Sequence, residues 1–260
     1  MTDVLRVTGL TKTYGGRRGT VTVRALDGLS MTVEKGEFVG IMGPSGSGKT
    51  TLLHLLGTID RPTSGHIILE GQELSDLKGL DLAVFRRRRL GFIFQEFNLL
   101  DSLTIKENII LPLALEKKPA SEIESRTAEL ARELGILEVL SRYPYEVSGG
   151  QKQRAAAARA LMAAPALVLA DEPTGNLDTA AARSLMGCLE DLNVRKEATI
   201  LMVTHDPVSA SYCRRILFIK DGRIHAELRR GLDRGQFLQR ILDTIAVSGG
   251  GCRDLATSGR

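Results

Sequence analysis

Tryptophan is absent from this chain, and aromatic residues make up only 4% of it. A surface that reads single-stranded nucleic acid needs stacking faces set among basic side chains. No basic stripe interleaved with aromatics is present, so nucleic acid is not an expected partner. Long apolar runs are also missing. Stretches such as Ala166–Ala170 and Ile200–Val203 fall far short of the roughly 18 residues that a membrane-spanning helix needs. The start, Met1-Thr2-Asp3-Val4, lacks the basic-then-apolar pattern of a secretory leader. Three cysteines (Cys188, Cys213 and Cys252) are an odd number without metal-ligand spacing. They are expected to be reduced thiols of a cytosolic protein, with Cys188 and Cys213 as core fillers. Charge is not one-sided: 35 Lys and Arg face 31 Asp and Glu, a formal net charge of +4. That mildly basic balance suits work beside an acidic ligand or an anionic membrane surface.

The 260 residues, 43% apolar and 25% charged, are enough for one large domain or two small ones of ordinary globular type. Val4–Gly9 and 21–33 alternate or run apolar and predict strands of an antiparallel sheet. Phe38–Met42 predicts a buried strand, and Lys49–Leu56 a helix closed by Gly57. Further strands are expected at 65–70 and 91–94, with a helix at 81–89 ending in Arg86-Arg87-Arg88-Arg89. This arginine run reads as a solvated helix face; the sharper reading is a contact with a partner or with anionic headgroups. From about Thr104 to Leu161 the pattern turns helical throughout. Ile123, Thr127, Leu130 and Leu134 fall on one face there, and Ser121 with Glu124 fits a capping box. Strand–helix alternation returns at 167–170, 179–193 and 199–203, and Asp206-Pro207 reads as a helix start. Asp221-Gly222 between 216–220 and 223–228 predicts a hairpin. A short C-terminal helix follows, and from Ser248-Gly249-Gly250-Gly251 onward a disordered tail is expected.

Gly43-Pro44-Ser45-Gly46-Ser47-Gly48-Lys49-Thr50 is a phosphate loop between a strand and a helix. Its backbone N–H groups point at a β-phosphate, Lys49 bridges the β- and γ-phosphates, and Thr50 suits Mg²⁺. At the end of a buried strand, Asp171 reaches the surroundings of the Mg²⁺, and Glu172 is placed to polarise a water as general base. Ser148-Gly149-Gly150-Gln151 precedes an Ala-rich helical run and reads as a second anion-binding helix start. Ser148 and Gln151 also fit an ordinary capping box. Two phosphate-reading helix starts stand roughly a hundred residues apart; if they end on opposite faces of one chain, they can close on one nucleotide only across a two-fold axis, which predicts a head-to-tail homodimer.

In order and spacing, the phosphate loop, Gln95, Ser148-Gly149-Gly150-Gln151, Asp171-Glu172, Gly175-Asn176-Leu177-Asp178 and His205 resemble the ATP-binding-cassette (ABC) ATPases, from roughly Leu5 to Leu228. That resemblance implies an α/β P-loop NTPase of ABC ATPase fold, with an antiparallel β subdomain and an all-helical insertion. It implies a nucleotide-binding domain over 1–230, helical at about 96–160, then a C-terminal helix and tail over 231–260. It also implies ATP and Mg²⁺, with nucleotide contacts from Tyr14, from Gly43 through Lys49, Thr50 and Thr51, from Ser148, Gly149, Gly150 and Gln151, and from Asp178. Tyr14 would stack on the adenine, Gln95 would touch Mg²⁺ and the water, and His205 would contact the γ-phosphate. Plainer readings are a loop aromatic for Tyr14, a strand-end polar residue for Gln95 and a helix-start histidine for His205. His54, His66 and His225 stand in no motif and are expected to be structural or exposed. Val147 stands where leucine is usual, and Gly175-Asn176 where Ser-Ala is more general.

Gly36-Glu37-Phe38-Val39, Ile41 through Lys49 and Ala170 through Asp178 resemble the lipoprotein-release and macrolide-export branch. Leu90 through Gln95, Asn98 through Asp101, Lys106 through Ile109, Ser148 through Arg154, Thr204 through Cys213 and Gly231 through Phe237 are most similar to the bacitracin-export (Bce-type) ATPases. That subfamily implies a ten-helix permease with a large extracellular domain, resistance to cell-wall-directed antimicrobial peptides and often a sensor histidine kinase. The ATPase would then sit peripherally on the cytoplasmic face of the membrane. The apolar stretch Phe97–Leu103 is the expected groove for a permease helix.

Overall fold

A computed structural model describes residues 3–15 and 21–249. In chain order the strands are β1 (Asp3–Tyr14), β2 (Val23–Glu34), β3 (Phe38–Met42), β4 (Ser64–Leu69), β5 (Gln72–Glu73), β6 (Leu90–Ile93), β7 (Leu167–Asp171), β8 (Ile200–Val203), β9 (Arg215–Lys220) and β10 (Arg223–Arg229). The helices are α1 (Lys49–Leu56), α2 (Gly79–Arg89), α3 (Ile105–Ala114), α4 (Ala120–Glu133), α5 (Gly149–Leu161), α6 (Thr179–Lys196), α7 (Pro207–Ala210) and α8 (Arg234–Gly249). One sheet is antiparallel, in the order β2-β1-β4-β5. The other runs β10-β9-β3-β8-β7-β6, with β9, β3, β8, β7 and β6 parallel and β10 antiparallel at the edge. Between β6 and β7 the chain carries only helices and turns.

The parallel strands are buried on both faces, which is why they read as unbroken apolar runs: every residue of β3 and β8 is buried. Register levels their C-terminal ends. Ile41 and Asp171 both pair with Val203, and Ile93 pairs with Ala170. The segments that leave β3, β6, β7 and β8 therefore emerge together at one edge, where ligands of such sheets bind. Buried side chains form two clusters. One gathers the antiparallel sheet around α1, and the other joins the parallel sheet to α3, α4, α5 and α6.

Several expectations need correction. β1 runs on to Tyr14, bending at Gly9, whose φ of 58° is left-handed. The β5 strand has only two residues and no readable pattern. Ser121 does not cap α4: Pro119, with φ fixed near the helical value, takes the cap position two residues earlier, and Glu124 pairs with Lys106 at 2.7 Å. The expected face of that helix does turn inward, since Ile123, Thr127, Leu130 and Leu134 are all buried. Ser148 and Thr104 both form true capping boxes. α8 continues through Ser248 and Gly249, where the tail was expected to begin; the rest of that tail and Cys252 lie outside the described residues. Cys213 is fully buried and Cys188 partly so, both are free thiols, and burial pushes both up from their ordinary pKa.

Gly91 is the tightest joint between β6 and α5. A Cβ there would stand 2.4 Å from the carbonyl oxygen of Ala160. Gly91→Ala is therefore expected to cost about 1–3 kcal/mol, the usual penalty of overpacking. Denaturant melts would measure it, and an unchanged midpoint would show that α5 retreats freely.

Candidate functional site

The phosphate loop is built where β3 meets α1. Gly43 (φ 155°) and Gly48 (φ 101°) hold conformations that disfavour a side chain. A Cβ at Gly43 would lie 2.1 Å from the Ile219 carbonyl oxygen, and one at Gly48 would lie 2.3 Å from that of Ala25. No acidic residue occupies the first turn of α1, so its free N–H groups favour an anion. The Ser47 hydroxyl is buried and has no hydrogen-bond partner. Lys49 Nζ donates to the carbonyl oxygens of Gly43 (2.9 Å) and Pro44 (2.8 Å), folded back over the loop it would leave to meet phosphate. Burial lowers the Lys49 pKa, against the opposing pull of Glu172 and Asp171. That coupling places the two carboxylates beside the loop.

Glu172 leaves β7 with a left-handed φ of 45°. Its Oε2 accepts from the His205 backbone N–H (3.2 Å), and its Oε1 accepts from His205 Nδ1 (2.9 Å). With Nδ1 donating, Nε2 of that ring accepts when the ring is neutral and donates only when both nitrogens carry a proton. The His205 side chain is 74% exposed and that of Glu172 only 17%. Both line a cavity of about 330 Å³ together with Thr174, Asp206 and Tyr212. Burial raises the Asp171 carboxyl pKa and Glu172 raises it further, while His54 and Lys49 pull it back. No group of three or more His, Cys, Asp or Glu that could hold a metal stands among the described residues. The oxygen donors expected from the sequence, Thr50, Gln95 and Asp171, are a sparse set, which would suit Mg²⁺ carried in on nucleotide phosphates.

Gln95, just beyond β6, exchanges hydrogen bonds with Asn176. Its Nε2 donates to Asn176 Oδ1 (3.2 Å), and Asn176 Nδ2 returns to the Gln95 carbonyl (3.1 Å). A Cβ at Gly175 would stand 2.7 Å from Gln95 Nε2, which gives the Gly-Asn variant a physical reason. Phe97 (φ 61°) and Asn98 (φ 49°) follow, both left-handed. Non-glycine residues held this way cost about 1–3 kcal/mol each and persist only where their surroundings fix them. Asp178 caps α6, accepting from the Ala181 N–H at 2.9 Å.

Ser148 and Gln151 close their box on each other, at 3.0 Å and 3.3 Å. A Cβ on Gly149 would meet Phe97, Asn176 and Leu177, and one on Gly150 would meet Ala181. None of these neighbours belongs to residues 43–51. The second helix start thus stands on the Asn176–Asp178 loop. Tyr14 is 41% exposed. Its hydroxyl donates to Asp60 (2.8 Å), Lys12 Nζ covers one ring face at 4.7 Å, and Thr51 is a neighbour.

Two features escaped the reading of the sequence. His54 is one: it sits in the last turn of α1 and acts on Asp171. A helical turn beyond the phosphate loop is the signal that could have found it. The arginine run is the other, and it is no plain solvated face. Arg87 and Arg88 both donate to Glu116 (3.3 and 2.7 Å), Arg89 pairs with Glu70 (3.0 Å), and Arg86 Nε is buried without a partner. Arg86 and Arg87 line an open, mainly apolar groove of about 610 Å³ with Phe92, Phe94, Leu111 and Leu115. None of Phe97–Leu103 lines it. Tolerance for a guanidinium with one buried nitrogen depends on packing partners that no local pattern encodes.

Residues 26–175 match the family model described as ABC transporter. The chain is 58% identical, over 95% of its length and 96% of the relative's, to the uncharacterized ABC transporter ATP-binding protein YvcR of Bacillus subtilis. It is 52% identical, over 95% of its length and 97% of the relative's, to the bacitracin export ATP-binding protein BceA of Halalkalibacterium halodurans. Among solved structures, the dimeric post-hydrolysis state of the ATP-binding cassette MJ0796 bound to ADP and Pi is similar at TM-score 0.78 and 37% identity, covering 88% of this chain and 100% of that one. With the motifs joined at one sheet edge, these likenesses settle the class: the chain belongs to the ABC transporter family, as an ATP-binding, ATP-hydrolysing subunit.

Proposed function

We propose that this ATPase works as a head-to-tail homodimer that drives a membrane permease, and that the permease exports or detoxifies cell-wall-directed antimicrobial peptides such as bacitracin. The observation that carries the dimer is the separation of the two helix starts. α1 opens beside Asp171 and Glu172, whereas α5 opens over the Asn176–Asp178 loop. In this reading a phosphate held by the first is capped by the second of another copy. The dimeric arrangement of the MJ0796 cassette is consistent with this.

In this reading the loop from Gly43 to Thr51 cradles the ATP phosphates, with Lys49 on the β- and γ-phosphates. Tyr14 offers its open ring face to the adenine. Thr50, Gln95 and Asp171 hold Mg²⁺, which supplies neutralising charge on the phosphates when bound. Glu172 polarises the attacking water as general base. His205, anchored on Glu172, presents Nε2 to the γ-phosphate. Ser148, Gly149, Gly150 and Gln151 cap that phosphate from the second copy, with Asp178 between the two sites. Loss of the bridging phosphate on hydrolysis lets the pair separate.

No helix among the described residues is long and apolar enough to cross a membrane; in this reading a separate permease does so. The groove beside Phe92 and Leu115 offers it an apolar seat. The likeness to a bacitracin export ATP-binding protein supports the bacitracin-type reading; a permease with a large extracellular domain, a sensor histidine kinase reached through it, and a place on the cytoplasmic face of the membrane belong to the same proposal. Cells lacking this chain should become several-fold more sensitive to bacitracin. Wild-type chain should restore resistance and Glu172→Gln should not. Unchanged sensitivity in the deletion strain would sink the peptide reading while leaving the ATPase intact.

A further inference from the structure

Two left-handed backbone points flank the site, at Phe97–Asn98 and at Glu172, and a single helix grips the chain beside both. Gln153, fully buried on α5, donates from Nε2 to the carbonyl oxygens of Phe94 (3.0 Å) and Pro173 (2.7 Å). Phe94 directly precedes Gln95, and Pro173 directly follows Glu172. Farther along the same helix, Arg159 donates from Nη1 to the Asn98 carbonyl (2.6 Å) and from Nη2 to that of Phe97 (3.1 Å). Gln95 is thus held on both sides, and Glu172 on one, by side chains of α5.

The amide of Gln153 carries a cost, because its Oε1 is buried with no partner. A leucine would fill the same space without that cost, so the contribution of this side chain lies in its two donors. The guanidinium of Arg159 likewise spans two carbonyls that a left-handed turn aims in one direction, a geometry suited to its rigid fork. Strained turns persist where neighbours over-determine them, and α5 supplies those neighbours.

We propose that Gln153 and Arg159 are positioning residues for ATP hydrolysis, through which α5 sets the stance of Gln95 and Glu172. Resting on the dimer reading above, the inference gives α5 two ends of one task. Its N-terminus meets the nucleotide of a second copy, and its buried side chains hold the catalytic groups of its own chain.

The test compares Gln153→Leu, Arg159→Met and Arg159→Lys in the purified full chain, measuring ATP affinity, KM and kcat. ATP affinity and KM should stay within about two-fold, because residues 43–51 are untouched. For Gln153→Leu and Arg159→Met, kcat should fall about ten-fold or more, as misplacement by a fraction of an ångström produces. Arg159→Lys, which keeps one charged donor, should recover part of the loss. A merely structural role would lower the melting temperature and leave turnover per folded molecule unchanged. A kcat within about two-fold of the parent, or ATP affinity lost in step with kcat, overturns the proposal. Should Gln153→Leu not fold, the Arg159 pair decides alone by the same criteria. Failure of the dimer reading has a different signature: Glu172→Gln chains that remain monomeric with ATP.

Discussion

Glu172→Gln is expected to reduce ATP turnover by about 10²–10⁴-fold, the range that a positioned general base contributes. The substitution keeps shape and one acceptor. The amide carbonyl that it introduces can still receive the His205 backbone N–H, which stands 3.2 Å from Oε2 of Glu172. It removes the negative charge that receives a proton from water. Fold and ATP binding should therefore survive while hydrolysis stops. With the bridging phosphate retained, the substituted chain should accumulate as an ATP-bound dimer, seen by size exclusion with light scattering. A chain that turns over within ten-fold of wild type would displace Glu172 as the base (about 1.4 kcal/mol per decade). A chain that stays monomeric with saturating ATP would sink the sandwich while leaving the base assignment standing.

Lys49→Met should come next in size, with turnover reduced by about 10²–10³-fold, as for loss of one preorganised donor at a developing charge. Methionine keeps the length of the stem and removes the ammonium. In the structure that ammonium is partly desolvated and, among the described residues, donates to the carbonyls of Gly43 and Pro44. Its loss should weaken ATP binding as well, in contrast to Glu172→Gln. Thermal stability should hold or rise slightly, since a desolvated cation is removed. The same change takes a positive neighbour from Asp171, whose carboxyl is already raised by burial and by Glu172. Calorimetric ATP binding close to wild type would remove Lys49 from the phosphate contacts.

Much of this site was legible because its motifs are backbone devices. A glycine-rich loop between a buried strand and a helix can be read from residue types, since the φ values of Gly43 and Gly48 disfavour any residue with a Cβ. The capping box at Ser148 is local for the same reason, its partners lying three residues apart. Asp171-Glu172 was readable as the end of a short apolar run, because a strand buried on both faces has no polar alternation to hide the signal. Ser121 failed because a competing local rule, the fixed φ of Pro119, won the helix start.

What remained hidden depends on partners far apart in the chain. The pairing of Gln95 with Asn176, of His205 with Glu172 and of Gln153 with Phe94 and Pro173 spans distant segments joined only by the register of β6, β7 and β8. The groove beside Arg86 and the action of His54 on Asp171 arise in the same way. By itself the sequence determined the elements, the phosphate chemistry and the family, because each rests on short-range backbone geometry and on charge. Only the tertiary structure decided which groups share the site and which helix holds them. Those are matters of side-chain contact across a sheet, and the spacing of residues along a chain does not carry them.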